Sequence, residues 1–181
     1  MRLVERLLAG GHEVTLVMTQ AGSDVAAYEL EFDLPADDPV RALLRYLELS
    51  AESPLRIACV GDLFDPIASG SHKVDAMIVI PASMGFCACV AAGTASNLAL
   101  RAADVTLKER RPLVLVPRET PLSLIHLRNL TTLAEAGAVI CPAMPAFYHR
   151  PDTLDDQVNF VVGKVLAVIG VEHSLFPRWG E

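Results

Sequence analysis

The sequence predicts an α/β layer fold with a mostly parallel sheet, and three observations predict it. First, the chain is 52% hydrophobic but only 6% aromatic. Ala, Val, Leu and Ile therefore carry the apolar content, which suits strands covered by helices on both faces. Second, amphipathic stretches with 3–4 spacing alternate with short apolar runs. Third, the stretch from Lys108 to Pro121 takes a charged helix end into Leu113–Val116, stops at Pro117 and delivers Arg118 and Glu119. That is how a buried parallel strand reaches its C-terminal edge, where open α/β sheets bind ligands. An Arg held there can grip a phosphate with two hydrogen bonds. A strand followed by a surface ion pair accounts for the same residues equally well.

In chain order, Leu3, Val4, Leu7 and Leu8 mark an opening helix that Gly10-Gly11 ends. Glu13–Thr19 reads as a strand, and Ser23 is placed to cap a helix through about Phe32. Asp37-Asp38-Pro39 starts another helix, to about Leu49. Leu55–Val60 is a short strand, and 61–71 a turn-rich loop. Val74–Ile80 is the strongest strand. Pro81-Ala82-Ser83-Met84-Gly85 leads from it into a small-residue helix to about Ala92. After Gly93 a helix runs from about Ser96 to Arg110. Beyond the Leu113–Val116 strand come a helix from Ser123 to Ala136, a Gly137 cap and a strand, Ala138–Cys141. A Pro-bounded aromatic loop, 142–151, precedes a last helix, Leu154–Ile169, capped by Thr153. A parallel α/β domain ordinarily opens on a strand, so a strand and phosphate-binding turn are expected upstream of Met1.

At 181 residues the chain is expected to be one domain, large enough for a real core. A net charge of −7 argues against a general nucleic-acid binder. Cys59, Cys87, Cys89 and Cys141 form no CxxC pair, which suggests reduced thiols and a cytoplasmic setting. The five histidines have no zinc spacing, so no metal is expected. Glu5 and Arg6 interrupt any signal peptide. Ala76–Ala92 is uncharged, but Pro81 and Ser83 divide it into a strand and a helix rather than a membrane span.

Three strand ends carry the candidate chemistry. Ser83, Met84, Gly85 and Phe86 open a helix whose N–H groups suit an anion or a polar ring edge, or form an ordinary cap. Arg118 and Glu119 follow the next strand. Tyr148, in Pro-Ala-Phe-Tyr-His-Arg-Pro, suits a phosphate donor or a packed aromatic. Lys164, 16 residues further on, sits among Val161, Val162, Val165 and Leu166, at a rim or on a solvated face.

The segments KERRPLV, RETPL and PAFYHRP, with TLDD after them, resemble the UbiX-type flavin prenyltransferases in order and spacing. The likeness runs from His12 to the Arg178-Trp179 tail. PASM and AAGTASNL are similar to the wider group of homo-oligomeric flavin-containing cysteine decarboxylases, which carry PASANT where this chain has Met84 and Gly85. The resemblance implies a three-layer Rossmann/flavodoxin-like fold. It implies alkylation of reduced FMN at N5 and C6 by dimethylallyl phosphate, without a metal. The product, prenylated FMN, would serve UbiD-type decarboxylases such as those of ubiquinone biosynthesis. Thr19, Ser83, Met84, Gly85, Phe86 and Arg118 would contact FMN. Lys108, Arg118, Tyr148 and Lys164 would hold the allylic phosphate. Glu29 and Glu119 correspond to acids near the reacting centre, and Trp179 to an aromatic that closes the site. The family often has Arg in place of Lys164. A homo-oligomer is implied, a dodecamer on the family's pattern, with its site between subunits, and the small-residue helix Cys87–Ala92 is a candidate interface. The family's opening strand and its Gly/Ser-rich turn, roughly G-x-S-G-A-S/T-G, have no counterpart here, since Met1 aligns inside the helix that follows. Without that strand the sheet would lose a central member.

The residue types suit this chemistry. Allyl–oxygen cleavage leaves a phosphate and an allyl cation. Cations at Lys108, Arg118 and Lys164 would stabilise the departing charge, and Tyr148 would donate to it. Glu119 would pass a proton. Two other readings stay open, an FMN-dependent cysteine decarboxylase and an inactive flavin-binding remnant.

Overall fold

The computed structural model describes residues 1–177. Trp179 lies outside the described residues. The chain divides into two compact units, one of residues 1–65 with 97–99, the other formed by the remaining residues.

The first unit holds α1 (Arg2–Ala9), β1 (Val14–Val17), α2 (Gln20–Leu30), α3 (Pro39–Tyr46) and β2 (Leu55–Ala58). β1 and β2 pair in parallel, from Val14 opposite Leu55 to Val17 opposite Ala58. Leu8, Phe32, Leu43, Leu44 and Leu55 form its core, with Val14, Leu16 and Ile57 packed against them. The helix after β1 begins earlier than Ser23. Thr19 holds extended dihedrals and its side-chain oxygen accepts from the Gly22 N–H at 3.1 Å, so Thr19 is the cap. That also shortens the strand, which ends at Val17. α3 stops at Tyr46 rather than Leu49 because Glu48 turns left-handed (φ 56°) and the Leu49 N–H returns to the Leu44 carbonyl. Arg56 grips the buried Asp65 carboxylate with both terminal nitrogens, at 2.5 and 3.0 Å.

The second unit is built on β3 (Met77–Ala82), β4 (Leu113–Pro117) and β5 (Val139–Ile140), all parallel, in the order β3-β4-β5. Its helices are α4 (Met84–Ala91), α5 (Leu98–Lys108), whose first residues group with the first unit, α6 (Leu124–Glu135) and α7 (Leu154–Val168). Leu113, Val114, Leu115 and Val116 are all fully buried. Successive strand residues face opposite ways, so β4 is covered on both faces. Leu113 and Leu115 join a core with Met84, Cys87, Val90, Ala103, Leu130 and Leu133. Within the helix Cys87–Ala92, Cys87 and Val90 turn into this core, while Ala88, Cys89 and Ala91 are half-buried. β3 does not stop at Pro81 but continues to Ala82, with a register shift between Val79 and Ala82. Proline lacks the ladder N–H and is accommodated at such an irregularity on an edge strand.

Candidate active site

The C-terminal edge of the three-stranded sheet collects several of the expected residues. Ala82 is paired with Pro117, so Ser83 and Arg118 step off adjacent strands side by side. The Cys141 N–H donates to the Leu115 carbonyl (2.8 Å) and the Ala143 N–H to the Pro117 carbonyl (2.9 Å), which brings the 142–150 loop off the same edge. Ser83 caps α4, its Oγ accepting from the Phe86 N–H at 3.1 Å. A hydroxyl used this way keeps its own proton to donate outward, beside the Met84 and Gly85 N–H groups of the first helical turn. Arg118 is exposed. Glu119 folds onto its own loop, where Oε1 accepts from the Thr120 N–H at 2.9 Å.

Along α7 and the turn after it lies an open cleft of about 440 Å³, lined by Tyr148, Lys164, His173 and Phe176 among others. α7 supplies Lys164. Thr153 and Asp156 close a reciprocal cap at the start of that helix, and Phe160, Val162, Val165 and Leu166 are its buried stripe. Phe160 is one turn below Lys164 and organises the aromatic wall. Tyr148 meets it edge-on at 5.8 Å, His149 stacks on it at 5.1 Å, and Phe176 packs at 4.8 Å. The Lys164 ammonium rides over the Phe160 and Phe176 rings, 5.4 and 5.6 Å from their centroids. Tyr148 is therefore both packed and presented, so the two readings of its loop do not compete. Burial pushes the Cys141 thiol up while the Lys164 charge pulls it down, which places the ammonium within electrostatic reach of the end of β5.

Lys108 does not join this group within one chain. Lys108 ends α5, before β4 begins, and pairs with the neighbouring Glu109 carboxylate against Gly70. The turn that follows is tied to the start of β3 and β4, Arg111 donating to the Gly70 and His72 carbonyls at 2.7 Å. Lys108 and Arg118 thus leave opposite ends of a five-residue strand, roughly 15 Å apart at strand rise. Thr19 and Glu29 belong to the first unit, where Thr19 caps α2 and Glu29 is exposed on the last turn of that helix.

Sequence reasoning passed over Phe160, Gly163, His173 and Phe176. A β-carbon at Gly163 would come 2.5 Å from Phe176 and 2.7 Å from His173. A glycine in the apolar stripe of a helix, beside a lysine, was the available signal for this close approach.

The donors at the sheet edge suit FMN: a hydroxyl, helix N–H groups and a guanidinium match the carbonyl and ring-nitrogen edge of an isoalloxazine. Gly85 leaves room there, since a β-carbon on it would meet Ser83 Oγ only at 3.9 Å. Among the described residues no group of three His, Cys, Asp or Glu is placed to hold a metal ion, and no helix is long and apolar enough to cross a membrane.

Comparison with known proteins gives the family. Residues 1–166 match the family described as Flavoprotein. Flavin prenyltransferase UbiX of Halalkalibacterium halodurans is 46% identical over 180 residues, covering 99% of this chain and 86% of that protein. The crystal structure of AnUbiX (PadA1) in complex with FMN and dimethylallyl pyrophosphate has a TM-score of 0.87 at 37% identity, covering 99% of this chain and 89% of that one. A dodecameric FMN-dependent UbiX-like decarboxylase from Escherichia coli O157:H7 has a TM-score of 0.84 at 41% identity, with coverage of 99% and 91%.

Proposed function

This chain belongs to the UbiX flavin prenyltransferases, within the Flavoprotein family, and on that premise we propose that it joins the dimethylallyl group of dimethylallyl phosphate to reduced FMN. Bound FMN would supply the nucleophilic N5 and C6 of its isoalloxazine. Ser83, the Met84, Gly85 and Phe86 segment and Arg118 hold the flavin, with Thr19. Tyr148 and Lys164 hold the phosphate, and Arg118 adds its charge as the allyl–oxygen bond breaks. The ammonium and the phenol stabilise the leaving anion without a metal. Glu119, and Glu29 with it, are assigned the proton movements that accompany phosphate departure and ring closure. Trp179 is assigned to closing the site. The product is suited to UbiD-type decarboxylases.

One observation carries the reading: Tyr148 and Lys164 line one cleft, and the Lys164 charge reaches Cys141 at the end of β5, in the sheet whose edge presents Ser83 and Arg118. The family match extends through both compact units, which supports their acting as one flavoprotein domain. We assign a homo-oligomer as the working state. Lys108 leaves from the far end of β4, so its role requires a second copy. Leu124, Ile125 and Leu127, 61, 68 and 47% exposed on the first turns of α6, offer an apolar surface for one. Reduced thiols at all four cysteines suit a reducing, cytoplasmic setting.

The test is the mass of the flavin recovered after anaerobic incubation with reduced FMN and dimethylallyl phosphate, with the diphosphate as a second arm. A gain of one dimethylallyl unit that requires protein, reductant and allylic donor is expected. Unaltered FMN from a protein that binds it in both arms would overturn the reading.

A further inference from the structure

The cleft contains a polar side chain that the assignment above leaves unused. His173 lies in the turn that follows α7 and lines the cleft with Tyr148 and Lys164. Its ring is held on three sides. Phe176 packs against it at 5.1 Å. The Leu175 N–H donates to Nδ1 at 3.3 Å. The Cε1–Nδ1 edge lies against the backbone of Gly163, where a β-carbon would come within 2.7 and 3.1 Å of those two atoms. Because Nδ1 accepts a hydrogen bond, the neutral ring carries its proton on Nε2. With Nδ1 taken by the Leu175 N–H, Nε2–H is the polar group this cleft-lining ring has left to offer. Gly163, against which the ring packs, is the residue before Lys164.

The charge balance says what that proton is for. Glu172 lines the cleft as well, and with Lys164 it makes up the charged side chains of the lining. Those two side chains together bring no net charge to an anion. Besides the charge assigned to Arg118, a phosphate held there by Lys164 and the Tyr148 hydroxyl gains from a further neutral donor within the cleft. We propose that His173 binds the allylic phosphate through its Nε2–H, as a third ligand beside Tyr148 and Lys164. The inference rests on the reading that this cleft takes the phosphate.

The probe is inorganic phosphate, as an inhibitor of flavin prenylation by the full-length protein. Two variants isolate the hydrogen bond. His173→Phe keeps a ring against Gly163 and Phe176 but has no donor, and His173→Gln places an amide N–H near the position of Nε2. His173→Phe is expected to raise the phosphate inhibition constant and the KM for dimethylallyl phosphate together, by about tenfold, the worth of one hydrogen bond to a charged group. FMN affinity stays at the parent value, and His173→Gln recovers most of the loss. A folded His173→Phe variant with both constants within about twofold of the parent overturns the proposal. So does a Gln variant no better than Phe. If Lys164→Met weakens phosphate and His173→Phe does not, His173 fails while the cleft stands as the phosphate site. If neither matters, both readings fall.

Discussion

At the scale of single residues, Lys164 is where charge matters most. Its ammonium lies over two aromatic faces, contacts worth about 0.5–1 kcal/mol each at an exposed site. Those are strong enough to bias the side chain toward the cleft and weak enough to yield to a phosphate. Lys164→Met is therefore expected to lower kcat/KM by about 10²–10³, the cost of losing one preorganised electrostatic donor. Lys164→Arg keeps the charge and most of the rate, with a residual loss because a planar fork replaces a point charge. Steady-state rates with the allylic donor varied decide this, and a Met variant at parental activity removes Lys164 from the chemistry. Tyr148 was legible through its Pro-framed loop and the motif around it, and Lys164 through its apolar neighbours Val161, Val162, Val165 and Leu166. His173 and Gly163 were not, since their contact exists only once the turn after α7 folds back. That turn depends on Gly170 in the left-handed region (φ 78°) and on the Val171 N–H returning to the Leu166 carbonyl, neither of which has a spacing signature.

At the scale of elements, α7 carries Lys164, which the proposal assigns to the phosphate, and its start is fixed by charge. The Asp156 carboxylate accepts from the Thr153 hydroxyl at 2.8 Å and N–H at 2.9 Å, and from the Asp152 N–H at 3.1 Å. These bonds, that from the hydroxyl first, hold its pKa below the ordinary 3.8, and the nearby His149 charge adds to them. The folded chain thus binds this proton more weakly than the unfolded one. The cap contributes fully above about pH 4 and is lost as pH falls through the depressed folded value. Asp156→Asn keeps an acceptor but removes the charge. It is expected to be less stable than the parent at neutral pH, with the two thermal midpoints converging as pH falls from about 5 to about 2.5. Parallel curves would show that the cap has no part in acid stability. Thr153 and its acidic first turn were readable because a capping box is a local pattern. Ser23 misled because Thr19, four residues earlier, offers the same hydroxyl and followed the end of β1 more closely. Pro81 misled because a proline stops a regular ladder but not one that shifts register.

At the scale of the whole molecule, the position of Lys108 decides how the site is shared. The sequence placed Lys108 and Arg118 within one stretch, and that proximity suggested one clamp. Five strand residues between the two helix-to-loop junctions instead send them to opposite edges, which linear spacing cannot reveal until the strand is drawn as a rod. Either Lys108 has no part in catalysis or it serves a site in a neighbouring copy. Mixed assemblies separate the two. Lys108→Ala and Lys164→Met are each expected to be inactive as uniform oligomers. Co-expressed in equal amounts with distinguishable tags, they form oligomers in which some sites take Lys164 from one chain and Lys108 from another. Random mixing restores both lysines at about a quarter of the sites, so about a quarter of parental activity is expected per site. If both lysines act from the same chain, no site in the mixture is intact and activity stays at the level of the single variants. If Lys108 is dispensable, its uniform oligomer is already active. A closed assembly with a shared interface is the arrangement that makes the first outcome possible, and an exposed apolar turn at the head of α6 gives such an interface a place to form.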